Sequence, residues 1–308
     1  MVRKQKKAAP NRSKSAARSS GKPTGNLGNR RSGASDGRQG THRPSDRSPE
    51  RSPERSPGRP SDRPSNQFRP KHSDSVFLYG RNSVEAALAN PERECVRLFA
   101  SERAASALDK ALSERVAMLS MPGPEMFSGL IPADAPHQGL VLEVRPLPGQ
   151  SIEDMQPLEG RKNIILMLDQ VTDPQNVGAC LRSAAAFGAR ALITQDRNSP
   201  MESGALARAS AGGLEVTPWL RVANLAQTLE ALREMGYWHV GLDGSTKQTL
   251  KQVSLGDNIV IVMGSEGKGL RPLVQKSCDM IAKIPMSGPI ESLNVSNAAA
   301  IALYQLTQ

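Results

Sequence analysis

The chain has 308 residues, 38% of them apolar, three cysteines and a formal net charge of +10. No run of about 18 apolar residues occurs, which excludes a helical membrane span. Cys95, Cys180 and Cys278 show neither paired nor metal-ligand spacing, which excludes a disulfide framework and a zinc site, fits a reducing cytoplasm, and leaves each as a small buried hydrophobe.

The charge is uneven: residues 1–74 hold 19 Lys and Arg against 6 Asp and Glu, leaving 21 and 24 for the remainder. This tail has no aromatic residue before Phe68 and repeats an Arg-Ser-Pro-Glu theme at Arg47–Glu50 and Arg51–Glu54. Such a composition cannot bury enough apolar surface to offset chain entropy, so 1–74 is read as disordered. Its cationic character suits phosphate backbones, held without sequence discrimination. Its first 35 residues carry no acid but lack the apolar face of an amphipathic presequence, so no targeting signal is expected.

The first folded unit, 75–145, opens with a strand at Ser75–Gly80 and a helix at Ser83–Leu88 that Asn82 or Ser83 would cap. A second strand at Val96–Ala100 precedes a helix over Ala104–Val116, apolar at 104, 108, 111, 112 and 116, and a third strand is predicted at Gln138–Val144. Residues 146–160 are rich in loop formers and read as a linker in which Ile152 and Met155 dock locally. From 161 to 308, unmixed apolar strands at Asn163–Leu168, Ala191–Thr194, Trp238–Leu242 and Asn258–Met263 alternate with helices near 176–187, 201–211, 224–235 and 292–306. That pattern predicts an α/β domain with a mainly parallel sheet covered on both faces, whose ligands bind at the strands' C-terminal ends.

Three polar junctions fall at those ends. The loop Asp169–Gly178 opens a helix carrying Arg182; Asn176 is read either as the helix N-cap or as a site residue, and Arg182 either as a surface guanidinium or as a partner of it. The turn Gly264-Ser-Glu-Gly-Lys-Gly269 puts Glu266 after a wholly apolar strand, where a charge needs pairing, with Arg182 the expected partner. The turn matches neither the phosphate-loop nor the dinucleotide glycine spacing. Ser292, Asn294, Ser296 and Asn297 precede an Ala-rich helix, more polar groups than capping alone requires.

Together these segments resemble the three signature motifs of the SpoU-type RNA ribose 2′-O-methyltransferases, within the knotted SPOUT class. The match is Asn176-x-Gly178-x-x-x-Arg182, then Ile261-Val-Met-Gly-Ser-Glu-Gly-x-Gly-Leu270, then Ile284-Pro-Met-x-Gly-x-x-x-Ser292-Leu-Asn-Val-Ser296. Residues 75–145, especially Ala135-Pro-His-Gln-Gly-Leu140, resemble the small ribosomal-protein-like RNA-binding domain that precedes the catalytic domain in the ribosomal RNA members.

The resemblance implies a C-terminal trefoil knot, a homodimer with cofactor sites near its interface, and S-adenosyl-L-methionine as cofactor, without metal. It implies a catalytic cluster of Asn176, Arg182, Glu266, Ser292 and Asn294. The cofactor would be held at Gly264, Ile284 and Leu293, flanked by Met263 and Met286. RNA contact falls to Arg81, His137 and Gln138, with His137 the one titratable alternative as base. The implied activity is methylation of a ribose 2′-hydroxyl, foremost at a guanosine of large-subunit ribosomal RNA in the cytoplasm. A transfer-RNA methyltransferase and a non-catalytic RNA-binding or ribosome-assembly factor stand as alternatives.

Overall fold

The structure, a computed structural model, describes residues 75–120, 123–253 and 256–308. The tail expected to be disordered, 1–74, lies outside the described residues.

The small domain contains β1 (Val76–Tyr79), α1 (Arg81–Ala89), β2 (Cys95–Ala100), α2 (Glu102–Ser106), α3 (Lys110–Ser113), β3 (Met118–Ser120) and β4 (Leu140–Val144). Its sheet runs β1-β4-β2-β3, with β4 antiparallel to both neighbours and β3 parallel to β2. Leu78, Leu98, Leu140 and Leu142 are fully buried in it.

Local chemistry moves several predicted boundaries. Neither Asn82 nor Ser83 caps α1, because Gly80 at φ 85 turns the chain directly into the helix, and the Arg81 backbone N–H donates to Gln138 Oε1 at 2.9 Å. The helix expected over 104–116 is two: Asp109 accepts from the Ala111 N–H and starts a new helix inside the apolar pattern. The strand expected from Gln138 begins at Leu140, since Gln138 and Gly139 are both left-handed, at φ 53 and 81. Within the expected linker, Ile152–Met155 forms a 3-10 turn and Met155 is buried under the larger domain.

That larger domain comprises β5 (Asn163–Asp169), α4 (Pro174–Ala186), β6 (Ala191–Gln195), α5 (Gly204–Ser210), α6 (Gly213–Val216), β7 (Trp219–Val222), α7 (Leu225–Glu234), β8 (Trp238–Leu242), β9 (Asn258–Gly264), α8 (Pro272–Lys276), β10 (Met280–Ala282) and α9 (Val295–Thr307). Its sheet order is β10-β8-β9-β5-β6-β7, every pairing parallel. Because side chains alternate along a strand, β5 and β9 feed two cores. Ile164, Leu166, Leu168, Ile261 and Met263 share one with α4, α5 and α9, while Ile165, Met167, Val260 and Val262 share the other with α7 and α8. The edge strands β7 and β10 went unpredicted.

The two domains are joined by a buried ion cluster and by close backbone packing. Arg93 of the small domain, its side chain fully buried, reaches Glu202 and Glu215 of the larger domain at 2.6 Å each and donates to the Arg145 carbonyl at 2.8 Å. Burial works against its charge, yet the Glu215 and Glu202 contacts outweigh it and its pKa rises. At Gly204 a Cβ would stand 2.4 Å from the Phe77 carbonyl and the Tyr79 ring, so only glycine lets α5 lie against β1. Among the described residues no helix is long and apolar enough to cross a membrane, and no His/Cys/Asp/Glu group is arranged to hold a metal.

Candidate active site

The three polar junctions meet at the C-terminal edge of the central strands. Asp173, not Asn176, caps α4 by accepting from the Gln175 N–H, which leaves Asn176 in the first helical turn with its amide free for other use. β9 ends at Gly264, where a Cβ would fall 2.0 Å from the Gly269 carbonyl carbon; the turn closes on itself through Gly269 N–H to Ser265 O at 2.9 Å. Gly267 and Gly269 supply its left-handed steps at φ 79 and 65. This turn is pinned to β5: Asp169, fully buried, accepts from the Arg271 backbone N–H at 2.9 Å and from its Nε at 2.7 Å.

Asn294 joins all three segments. Its Oδ1 caps α9 by accepting from the Ser296 N–H at 2.9 Å, and its Nδ2 donates to Asn176 Oδ1 at 2.9 Å and to Glu266 Oε1 at 2.7 Å. The Val295 N–H adds a longer bond to the same Glu266 oxygen, 3.3 Å. Glu266 therefore finds helix-terminal donors where the sequence reading expected Arg182.

That expected pair does not form. Six residues along an α-helix is about 9 Å of rise and about 120° of net rotation, which puts Arg182 further along α4 and on a different face from Asn176. Arg182 is exposed and makes no ion pair among the described residues.

Beside the cluster lies a cleft of ≈ 380 Å³, lined by Met263, Gly264, Glu266, Ile284, Met286, Ser292 and Leu293 among others. The structure thus brings the residues expected to hold the cofactor together with Glu266 and Ser292, while Asn176 and Asn294 stand behind Glu266. Asp243, Lys283 and Glu291 also line the cleft. Sequence reading missed Asp243, although a carboxylate directly after an apolar strand is the signal that drew attention to Glu266. Asp169 also follows an apolar strand and was read only as the start of its loop; its partner is Arg271. The lining fits a nucleoside-bearing cation: apolar side chains suit a flat heterocycle, the tight Gly264 turn brings backbone polar groups to the wall, and Asp243, Glu266 and Glu291 outnumber Lys268 and Lys283.

In the small domain, His137 Nδ1 accepts from the Gly139 N–H at 3.1 Å, and its ring lies 4.2 Å from that of Phe127. Arg81 is half-buried and pairs with Glu85 at 3.5 Å. Arg81, His137 and Gln138 therefore surround one backbone corner, Gly80 against Gln138–Gly139. Cys180 is buried with its thiol pushed up to about 12, the inert hydrophobe expected of it.

Residues 163–304 match the SpoU rRNA Methylase family, and residues 77–150 match the domain described as RNA 2′-O ribose methyltransferase substrate binding. The 23S rRNA (guanosine-2′-O-)-methyltransferase RlmB of Pseudomonas aeruginosa is 36% identical over 234 residues, covering 74% of this chain and 94% of that protein. The chain belongs to the SpoU rRNA methylase family. A SpoU relative of the same name from Coxiella burnetii is 36% identical over 239 residues, with 74% and 94% of the two chains covered.

Solved SpoU-type structures share the fold. The SpoU methyltransferase AviRb from Streptomyces viridochromogenes, in complex with AdoMet, superposes with a TM-score of 0.64 at 24% identity, over 76% of this chain and 89% of its own. The AdoMet-bound rRNA methyltransferase from Sinorhizobium meliloti gives 0.64 at 22% identity, over 76% and 87%.

Proposed function

We propose that this chain transfers a methyl group from S-adenosyl-L-methionine to the ribose 2′-hydroxyl of a guanosine in 23S ribosomal RNA. The observation that carries this reading is the convergence of the three junctions through Asn294 onto Glu266, at the mouth of a cleft suited to the cofactor. The two relatives above bear names specifying that reaction, and AviRb was solved with AdoMet bound.

The cofactor supplies an electrophilic methyl group on a sulfonium, so the protein has to align the ribose and ease proton loss from a weakly acidic hydroxyl. Gly264, Ile284 and Leu293 hold the cofactor through backbone groups, and Met263 and Met286 flank it. Asn294 fixes Glu266 and Asn176, and Ser292 stands in the cleft as a polar contact. Arg182 carries five N–H donors and no acceptor, which suits it to binding anions rather than to serving as base. It makes no ion pair among the described residues, which leaves it to clamp RNA phosphate and lower the hydroxyl's pKa, with phosphate or water taking the proton.

RNA is gripped by the small domain, 75–145, at Arg81, His137 and Gln138, beyond a junction at 146–160 that leads into the methyltransferase domain, 161–308. The small domain's ribosomal-protein-like character and the trefoil knot belong to the same reading. For the knot the support is that the chain leaves the sheet edge at β10 and returns over β9 and α4 as α9. α9 also leaves Ile301 and Tyr304 43% and 56% exposed, an apolar face suited to a homodimer contact. A cytoplasmic, rRNA-processing role fits the free thiols.

The test is transfer of tritiated methyl from S-adenosylmethionine to unmodified 23S rRNA and to tRNA. Incorporation at a guanosine ribose of the former is expected; incorporation into tRNA alone reassigns the substrate, and into neither overturns the enzymatic reading.

A further inference from the structure

A second cavity, ≈ 270 Å³, opens where α5 and the first turn of α4 face the small domain, lined by Tyr79, Asp134 and Pro136 on one side and Gln175 and Arg208 on the other. It falls just below the range of about 300–1,000 Å³ typical of drug-sized ligands, room for one planar heterocycle. Its charges are not satisfied internally. Asp134 and Arg208 are both exposed, and neither side chain forms a salt bridge or hydrogen bond with the other or with any described residue, although they line the same space. Both act on the buried Tyr79 phenol: burial raises its pKa, Arg208 opposes and Asp134 adds. The Arg208 stem also reaches the corner held by Gln138, lying 4.0 Å from where a Cβ on Gly80 would stand.

Hydrogen bonds connect the cavity wall to the methyl-transfer cleft. Gln175 lines the cavity, and the next residue, Asn176, accepts from Asn294, whose amide also donates to Glu266 of the cleft.

We infer that this cavity receives a guanine base of the RNA substrate, Asp134 accepting from N1–H and the N2 amine and Arg208 donating to O6 and N7. Guanine presents two donors and two acceptors on adjoining edges, and arginine on O6 and N7 is the commonest specific contact to it. Adenine turns a donor towards the guanidinium where guanine has O6, and pyrimidines have no N7. A base unstacked from single-stranded RNA can enter such a site whole. The inference rests on the proposed rRNA guanosine methylation and names the residues that choose the base.

The test measures filter binding of the full chain to unmodified 23S rRNA transcripts made with guanosine or with 7-deazaguanosine, which keeps Watson–Crick pairing but lacks the N7 acceptor. The wild-type chain is expected to bind the deaza transcript about tenfold more weakly, Arg208→Ala to bind both alike, and Asp134→Asn to bind the guanosine transcript about tenfold more weakly than wild type. Indifference of the wild-type chain to N7, or variants that bind like wild type, overturns the inference. A variant that weakens both transcripts equally, while the wild type ignores N7, also overturns it, since Arg208 then acts as a phosphate contact. Base-dependent binding without methyl transfer leaves the cavity standing and removes the enzymatic reading, so the two failures are distinguishable.

Discussion

Asn294 uses both ends of one amide, the oxygen starting α9 and the nitrogen tying Asn176 to Glu266. Asn294→Ser keeps a cap acceptor but loses that donor. Stability measured by thermal unfolding should change by no more than about 0.5 kcal/mol, while methyl transfer falls about tenfold or more. Loss of activity in step with unfolding would reduce Asn294 to a cap. His239 offers a second residue-scale expectation. Burial lowers its pKa from 6.5, against Asp279 and with Arg233, and its Nε2 finds no partner among the described residues. The unfolded chain therefore takes up the proton at a pH where the folded chain does not, so stability is full above about pH 6.5 and declines as pH falls through it. Melting temperatures between about pH 7.5 and 5.5 should drop for the wild type and drop less for His239→Gln. At this scale the cluster was largely legible, because Glu266 and Asn294 follow apolar strands or precede an Ala-rich helix, where polar groups stand out. Which donor takes the Glu266 carboxylate was not: Arg182 looked suitable by charge, and the rise and rotation along α4 separate it from the cluster.

Elements whose backbone does one thing throughout were the readable ones. β5 and β9 are apolar on both faces because helices cover both, and that pattern leaves little room for error. The losses came where a short polar side chain or a left-handed step interrupts an apolar rhythm, as at Asp109 between α2 and α3, or where an edge strand is as brief as Met280–Ala282. The Gly264 turn is the most tightly built element. Gly264→Ala puts a methyl 2.0 Å from the Gly269 carbonyl carbon, and neither side of that contact is a flexible side chain. The expected cost is about 1–3 kcal/mol by chemical denaturation, with loss of the heat of S-adenosylmethionine binding in calorimetry. Normal binding by this variant would show that the turn does not shape the cleft wall.

For the whole molecule, the decisive contact lay beyond sequence reading, since nothing local to Arg93 announces partners more than a hundred residues away. Arg93→Met leaves the Glu202 and Glu215 carboxylates without their cation and should cost about 3–5 kcal/mol in urea unfolding, partly restored by adding Glu202→Gln and Glu215→Gln. The tail belongs to this scale too. Deleting residues 1–74, with their 19 basic groups, should weaken RNA binding most at low salt and leave the modified nucleotide unchanged. The clamp on Arg93, with Gly204 flush against β1, has a further effect. It fixes the small domain against the methyltransferase domain, so on the proposed reading an RNA substrate has to span one set distance between the Gln138 corner and the cleft.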